Sequence, residues 1–194
     1  KINIERIPLE PQGLSKARNA LLPYVKGDIV ALTDDDCHYA PDCLEQVAHL
    51  FNSHGEMVGL IGNCNGRSKI YPKERQENRF SVFQEAPSWA LFFRADAMRI
   101  TGDFDEGLGI GSNGPYQSGE ETDYLLRMLK ANVGKILRSS SVHVFHDTFN
   151  FNDPSLLSKA YGYGVGRMHL LHKHKMPLWF RLAKLIYPIV RALL

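Results

Sequence analysis

Three consecutive aspartates, Asp34 to Asp36, follow directly after an apolar run at 28–33. Adjacent carboxylates repel one another unless a cation neutralises them. On an extended chain Asp34 and Asp36 point to the same side, where two carboxylates can hold a hard divalent cation together with substrate phosphates. Open α/β sheets bind ligands at the carboxyl ends of such strands. The pattern favours a metal and phosphate site; the alternative is a solvated turn whose aspartates cap a helix.

A second acidic group, Glu120, Glu121 and Asp123, opens a helical pattern after a glycine-rich stretch. One of these carboxylates can act as a general base. The alternative is structural, because acids in a first helical turn complement the helix dipole and Glu121 has capping-box spacing from the serine three residues earlier. A neutral histidine can complete a site begun by carboxylates, and on composition alone His143 and His146 are equal candidates.

The hydropathy pattern predicts alternating strands and helices, which would hold these residues in place. The run at 28–33 is apolar from Ile29 to Leu32, which is typical of a strand buried on both faces. Pro23 lies inside the first helical stripe and favours an early end to that helix. The pattern predicts strands at 2–7, 28–33, 57–61, 88–93, 135–137 and 142–145, helices at 14–25, 41–51 and 118–130, and loops at 63–80 and 102–119. This alternation indicates the α/β class.

The composition narrows the function classes. The chain has 194 residues, 44% hydrophobic and 23% charged, which excludes disordered, collagen-like and coiled-coil proteins. A net charge of +2 gives no global basic field, so we expect no nucleic-acid partner. Three cysteines without a CxxC pair predict a reduced, cytoplasmic setting. No leader and no apolar run of about 20 residues is visible, so neither a signal peptide nor a complete membrane span is expected.

The C-terminal segment differs in charge from the rest of the chain. Residues 154–194 hold seven Lys or Arg and no acidic residue, so we predict a domain at 1–153 followed by a basic helical segment at 154–194. The apolar and cationic residues after Pro177 suit an amphipathic helix on an anionic membrane surface. The alternative is a helix packed on the domain with a solvated basic edge, and Pro188 limits its continuity. Arg167, which follows three glycines, is a candidate for a diphosphate contact.

The order and spacing of these segments carry a family resemblance over roughly residues 10–150. The chain resembles the family 2 glycosyltransferases, which have the GT-A fold. The stretches that carry the likeness are 13–19, 29–36 with its DxD motif, 102–106, 118–127 and 142–146. The resemblance implies a Rossmann-like, mostly parallel sheet with flanking helices. It also implies that the chain begins after the family's opening βαβ unit, so we expect an incomplete donor pocket, weak nucleotide binding and little turnover.

The resemblance assigns roles to most of the candidate residues, whereas Arg167 is a candidate only because of the glycines before it. Asp34, Asp36 and His146, rather than His143, match the metal ligands. Glu121 matches the catalytic base position, which is more often Asp, and Glu120 precedes it. The remaining candidates fall into two groups: Arg18, Asp34, Asp35 and Arg167 for the nucleotide and its diphosphate, and Trp89, Asp105 and Glu106 for the acceptor.

The implied function is transfer of a sugar from a nucleotide-sugar donor to an acceptor hydroxyl by a single displacement with inversion. The implied cofactor is Mn²⁺ or Mg²⁺, and the acceptor is a saccharide or lipid-linked molecule in surface polysaccharide or glycolipid synthesis. We expect a cytoplasmic protein, peripheral on the inner face of the membrane. Two alternatives stay open: a non-catalytic GT-A-like assembly domain at the membrane, and a metal-dependent phosphohydrolase, which leaves the helix at 118–130 without a role.

Overall fold

The computed structural model describes residues 3–10, 12–64, 74–146 and 154–193. This part of the chain contains both strands and helices, as predicted, but pairs or runs of one kind often follow each other. The strands are β1 (Ile29–Ala31), β2 (Cys37–Tyr39), β3 (Met57–Cys64), β4 (Glu74–Gln76), β5 (Leu91–Arg94) and β6 (Lys135–His146). The helices are α1 (Leu14–Leu21), α2 (Cys43–Ser53), α3 (Ala95–Thr101), α4 (Glu120–Ala131), α5 (Leu156–Lys173) and α6 (Leu178–Leu193).

The strands form one mixed sheet with the order β1-β5-β3-β6-β2, and β4 also pairs with β6. The central pair, β3 with β6, is parallel, with Leu60 opposite Leu137. The other strand pairings in the described ranges are antiparallel. The α/β class is therefore confirmed, but the expected parallel character is limited to the centre of the sheet. A parallel pair needs a long crossover, and the chain between β3 and β6 supplies one.

The central strand β3 is buried along its whole length because helices cover both faces of the sheet. Met57 and Leu60 belong to a cluster that also contains Phe51 of α2. Ile61 belongs to a larger cluster on the other side, together with Leu125 of α4. The sheet is thus held between two apolar layers, and its strand ends remain at the rim.

Some elements differ in extent from the sequence prediction. Helix α1 ends at Leu21 and a 3-10 helix, Leu22–Tyr24, follows because Pro23 removes an N–H donor. Residues 3–10 form no strand, since no described strand pairs with them. The two short strands predicted between 135 and 145 are one strand, β6. The predicted loop at 63–80 contains the end of β3 and all of β4, and its residues 65–73 lie outside the described residues.

The basic C-terminal segment packs on the domain through α5. Gly162 and Gly166 of α5 lie against Gln117 and Ser118, just before α4. A Cβ at residue 166 would lie 2.5 Å from Ser118 Oγ, so the close approach of the two segments depends on glycine. Leu170, Leu171, Met176 and Phe180 belong to the larger core cluster.

Candidate active site

The three predicted metal ligands meet at the rim of the sheet. One ligand atom each from Asp34, Asp36 and His146 lies within 4.8 Å of the others. Asp36 Oδ1 lies 3.0 Å from His146 Nε2. The pairing of β2 with β6 sets this geometry, because it places Cys37 opposite His146. Two residues that are far apart in sequence are therefore brought together by backbone register.

The other candidate histidine, His143, has a different partner. Its Nδ1 lies 3.1 Å from Nδ2 of Asn63, a buried side chain on β3. Within the described residues, the cluster that can hold a metal ion contains His146 and not His143. His143 and His146 are three residues apart on β6, so their side chains point to opposite faces of the sheet. This is why His146 and not His143 lies beside the aspartates.

A buried arginine joins the aspartate turn to α4. Arg18 Nη1 donates to Glu120 Oε1 at 3.3 Å, and its Nη2 lies 3.8 Å from Asp34 Oδ1. The Arg18 side chain is only 9% exposed, and its Nη2 donates no hydrogen bond within the described part of the chain. Burial raises the pKa of Asp34, Arg18 opposes that shift, and Asp36 adds to it. The Arg18 guanidinium is therefore a fixed positive charge between the aspartate turn and the glutamates at the start of α4.

The two glutamates at the start of α4 share one electrostatic environment. Glu120 is buried beside Arg18, whereas Glu121 is half-buried. Burial raises the pKa of Glu121 well above its ordinary value, and the charge of Glu120 and a hydrogen bond with it add to the shift. Such a carboxyl group is suited to proton transfer near neutral pH. The predicted capping box does not form: Gly119, with φ of +94°, is the N-cap, and the Ser118 hydroxyl donates to the Tyr163 carbonyl.

The third acid of α4, Asp123, has a structural role. It is completely buried and interacts with Arg127 Nε at 2.8 Å, His174 Nε2 at 2.8 Å and Lys173 Nζ at 2.6 Å. Burial alone would raise the pKa of Asp123, but the hydrogen bonds from His174, Lys173 and Arg127 lower it. Asp123 therefore stays ionised and ties α4 to the end of α5.

The sequence profile described as "Glycosyl transferase family 2" matches residues 2–107, more than half of the chain. The chain belongs to this family. Among solved structures it is similar to S. aureus TarS 1-349 in complex with UDP-GlcNAc, with a TM-score of 0.56 and 16% identity. The match covers 87% of this chain and 48% of that one, so the chain spans about half of the TarS chain. No curated protein matches the sequence.

As a family 2 glycosyltransferase, the chain has a GT-A-like fold, which the likeness to TarS supports independently of the profile. The residues predicted for the acceptor lie in two places. Asp105 binds Lys173 at 2.6 Å, and Glu106 accepts a hydrogen bond from Asn19 at 3.1 Å. Trp89 instead lies on His146, with ring centroids 5.3 Å apart and planes inclined by 27°. Their roles toward an acceptor stay predictions.

The two remaining candidates for diphosphate binding are both exposed. Asp35 lies at the tip of the aspartate turn. Arg167 lies on α5, where its charge adds to the burial that lowers the pKa of Lys184. Within the described ranges, neither residue belongs to the metal cluster, and the ion-pair partners of Arg18 are Asp34 and Glu120 rather than Asp35. The roles of Asp35 and Arg167 therefore also stay predictions.

Sequence reasoning missed two residues that shape the site. Lys173 joins Asp105 of the glycine-rich loop to Asp123 of α4, and His174 adds a second contact to Asp123. In the sequence, both residues stand out only as members of a basic run. Their partners lie some 50 to 70 residues earlier, and no local spacing indicates such a pairing.

Proposed function

We propose that this family 2 chain transfers a sugar from a nucleotide-sugar to an acceptor hydroxyl with inversion at the anomeric carbon. The observation that carries the proposal is the Arg18 bridge. It links Asp34 of a candidate metal site to Glu120, the neighbour of a carboxyl group whose pKa is raised. A donor site and a base are thus adjacent and electrostatically connected, as a displacement reaction requires.

The residues at the strand ends fit a divalent cation. Two carboxylates and an imidazole suit Mn²⁺ or Mg²⁺ with water or phosphate in the remaining positions. Burial and, to a smaller extent, Asp36 raise the pKa of Asp34, and a bound cation would favour the ionised form of this carboxyl group. When bound, the metal would neutralise charge on the departing diphosphate. Asp34, Asp36 and His146 would hold it.

The chain's own residues supply the other parts of the reaction. A Glu121 carboxylate oxygen takes the proton of the acceptor hydroxyl as that oxygen attacks the anomeric carbon. The bond from that carbon to the diphosphate oxygen breaks, and its electron pair leaves with the nucleoside diphosphate. Arg18 holds Glu120 in place and adds positive charge near the leaving group, where negative charge develops. Attack from the face opposite the diphosphate gives inversion.

The exposed surface of α6 supports a membrane-associated acceptor. Phe180 is buried against Phe80 and Phe83, whereas Trp179 on the same helix is 62% exposed. Over residues 178–187, the part of α6 whose side chains the structure describes, the other large apolar side chains that are exposed are Leu178, Leu182, Leu185, Ile186 and Tyr187. None of the helices in the described ranges is long and apolar enough to span a membrane. We propose that this face contacts an anionic lipid surface at the cytoplasmic side, near a lipid-linked acceptor of surface polysaccharide or glycolipid synthesis.

The test is donor turnover by the full chain. UDP-GlcNAc, which the TarS structure contains, is the first donor to use with Mn²⁺ and a panel of saccharide and lipid-linked acceptors. In line with the weak turnover expected above, we expect slow release of UDP that depends on Asp36 and Glu121. No turnover with any donor, despite nucleotide binding, would favour a non-catalytic assembly domain. Phosphate release from simple phosphoesters, unaffected by Glu121→Gln, would favour a phosphohydrolase.

A further inference from the structure

The indole of Trp89 covers one face of the His146 imidazole. The ring centroids are 5.3 Å apart and the planes are inclined by 27°, which is a stacked arrangement. On its edge, the same imidazole places Nε2 3.0 Å from Asp36 Oδ1. His146 is therefore restrained in two directions, by an aromatic plane and by a carboxylate.

Trp89 is itself held by the fold. It lies in the 3-10 helix Ser88–Ala90, directly before β5, and is half-buried. Its side chain packs against the apolar cluster that contains Phe92 and Val144. Val144 and His146 are two residues apart on β6 and therefore share a face of the sheet. The indole thus rests on the same apolar surface from which the histidine side chain projects.

We propose that Trp89 is a positioning residue for the metal site: its indole fixes the His146 ring so that Nε2 stays directed at Asp34 and Asp36. This inference rests on the metal-dependent function proposed above. An imidazole on a strand end can rotate about its side-chain bonds, and a flat apolar neighbour removes most of those orientations before the cation arrives. A bound cation would draw electron density from the neutral imidazole, and the indole face would favour the partial positive charge that results.

The assignment differs from the acceptor role that the resemblance implies for Trp89. An aromatic side chain that binds a sugar must present a free face to it. The face of Trp89 toward the site is occupied by His146 and the side chain also packs on the apolar cluster. The contact with His146 therefore places Trp89 to act on the metal ligand, and its role toward an acceptor stays a prediction.

The test measures binding of Mn²⁺ alone to the full chain by calorimetry. We expect Trp89→Ala and Trp89→Leu to raise the Kd for Mn²⁺ by about tenfold, as loss of a group that orients a metal ligand does, and Trp89→Phe to change it little. The leucine variant separates ring stacking from packing, because it keeps apolar bulk without a flat ring. Thermal unfolding of each variant identifies any that fail to fold.

A spectroscopic measurement gives an independent outcome. The chain has two tryptophans, so Trp179→Phe leaves Trp89 as the single emitter. Bound Mn²⁺ is paramagnetic and should quench its fluorescence, whereas the Trp89→Phe protein, which keeps Trp179, should be quenched little. Mn²⁺ binding that depends on Asp36 but is equal in wild type, Trp89→Ala and Trp89→Leu would overturn the inference alone. Absence of Mn²⁺ binding to the wild type would overturn the metal site and the inference together.

Discussion

Cys37 and His146 face each other across the antiparallel pair of β2 and β6. Asp36 directly precedes Cys37, so this register determines which β6 side chain reaches the aspartate turn. A shift of one residue would send His146 to the other face of the sheet and bring Phe145 into its place. The candidate metal site is therefore a consequence of strand pairing as much as of residue type.

The two histidines of β6 give a matched test of that register. His146→Ala should weaken binding of Mn²⁺ with UDP by at least tenfold, because it removes one of three ligands. His143→Ala should change binding by less than about twofold, since His143 pairs with Asn63 away from the cluster. Calorimetric titration of both variants checks the ranking. If His143→Ala causes the larger loss, the assignment of the ligand is wrong.

Glu121 should limit activity at low pH. Its pKa is raised by burial and by Glu120, so kcat/KM should rise with pH through an apparent pKa above the ordinary Glu value. This apparent pKa belongs to the coupled pair of glutamates. Glu121→Gln should remove the rise and lower kcat by about 10²- to 10⁴-fold, the usual contribution of a general base. Glu121→Asp, which keeps a carboxylate, should retain measurable turnover.

The same shift has a consequence for stability. A carboxyl group whose pKa is higher in the folded state binds more protons there, so its contribution to stability falls as pH rises from the ordinary Glu value through the raised one. Glu121→Gln should therefore increase the free energy of unfolding at pH 8 relative to wild type, and the difference should shrink towards pH 4. Urea unfolding at the two pH values measures this. A variant that is less stable at pH 8 would contradict the assigned environment.

The contribution of Asp123 to stability should depend on pH in the opposite way. Its pKa is lowered in the folded state, so its contribution is fully present above the ordinary Asp value and is lost as pH falls below about 4. Asp123→Asn leaves Lys173 and His174 without their buried partner and should cost about 3 kcal/mol at pH 7. Urea unfolding should show the gap to wild type narrowing at pH 3. Asp103→Asn, at an exposed acid, is the control and should cost little.

The sequence predicts the parts of the site that are encoded locally. The aspartates at a strand end and the helix that begins at Glu120 are where their patterns place them. The Arg18 bridge, the stacking of Trp89 and the role of Lys173 are not predictable in this way, because each depends on which elements become neighbours. The capping-box prediction was wrong for the same reason: α5 packs so closely that the Ser118 hydroxyl donates to Tyr163 instead.

Two glycines of α5 test how closely that helix must approach α4. A Cβ at Gly166 would lie 2.5 Å from Ser118 Oγ and 2.7 Å from the Ser118 carbonyl oxygen, so Gly166→Ala should force the segments apart and cost about 1 to 3 kcal/mol. Gly164 lies on the same helix, and a Cβ added there would meet no described atom within 4 Å. Gly164→Ala should stabilise the protein by about 0.5 to 1 kcal/mol through helix propensity. Thermal unfolding that shows equal shifts would refute the packing.

The exposed face of α6 should bind an anionic lipid surface. Leu178, Leu182 and Ile186 are each at least 46% exposed, whereas Phe180 on the same helix is buried in the domain. Changing these three leucine and isoleucine side chains to serine therefore leaves the packed face intact. It should reduce binding to vesicles of phosphatidylglycerol and phosphatidylcholine by at least tenfold, because each lost apolar contact is worth on the order of 1 kcal/mol. Binding by wild type should also weaken at high salt, since the contribution of the cations is screened.

Leu157→Ser, at an α5 side chain that is 84% exposed, is the control and should sediment with vesicles as wild type does. Equal sedimentation of the triple variant and wild type would show that α6 does not bind the lipid surface.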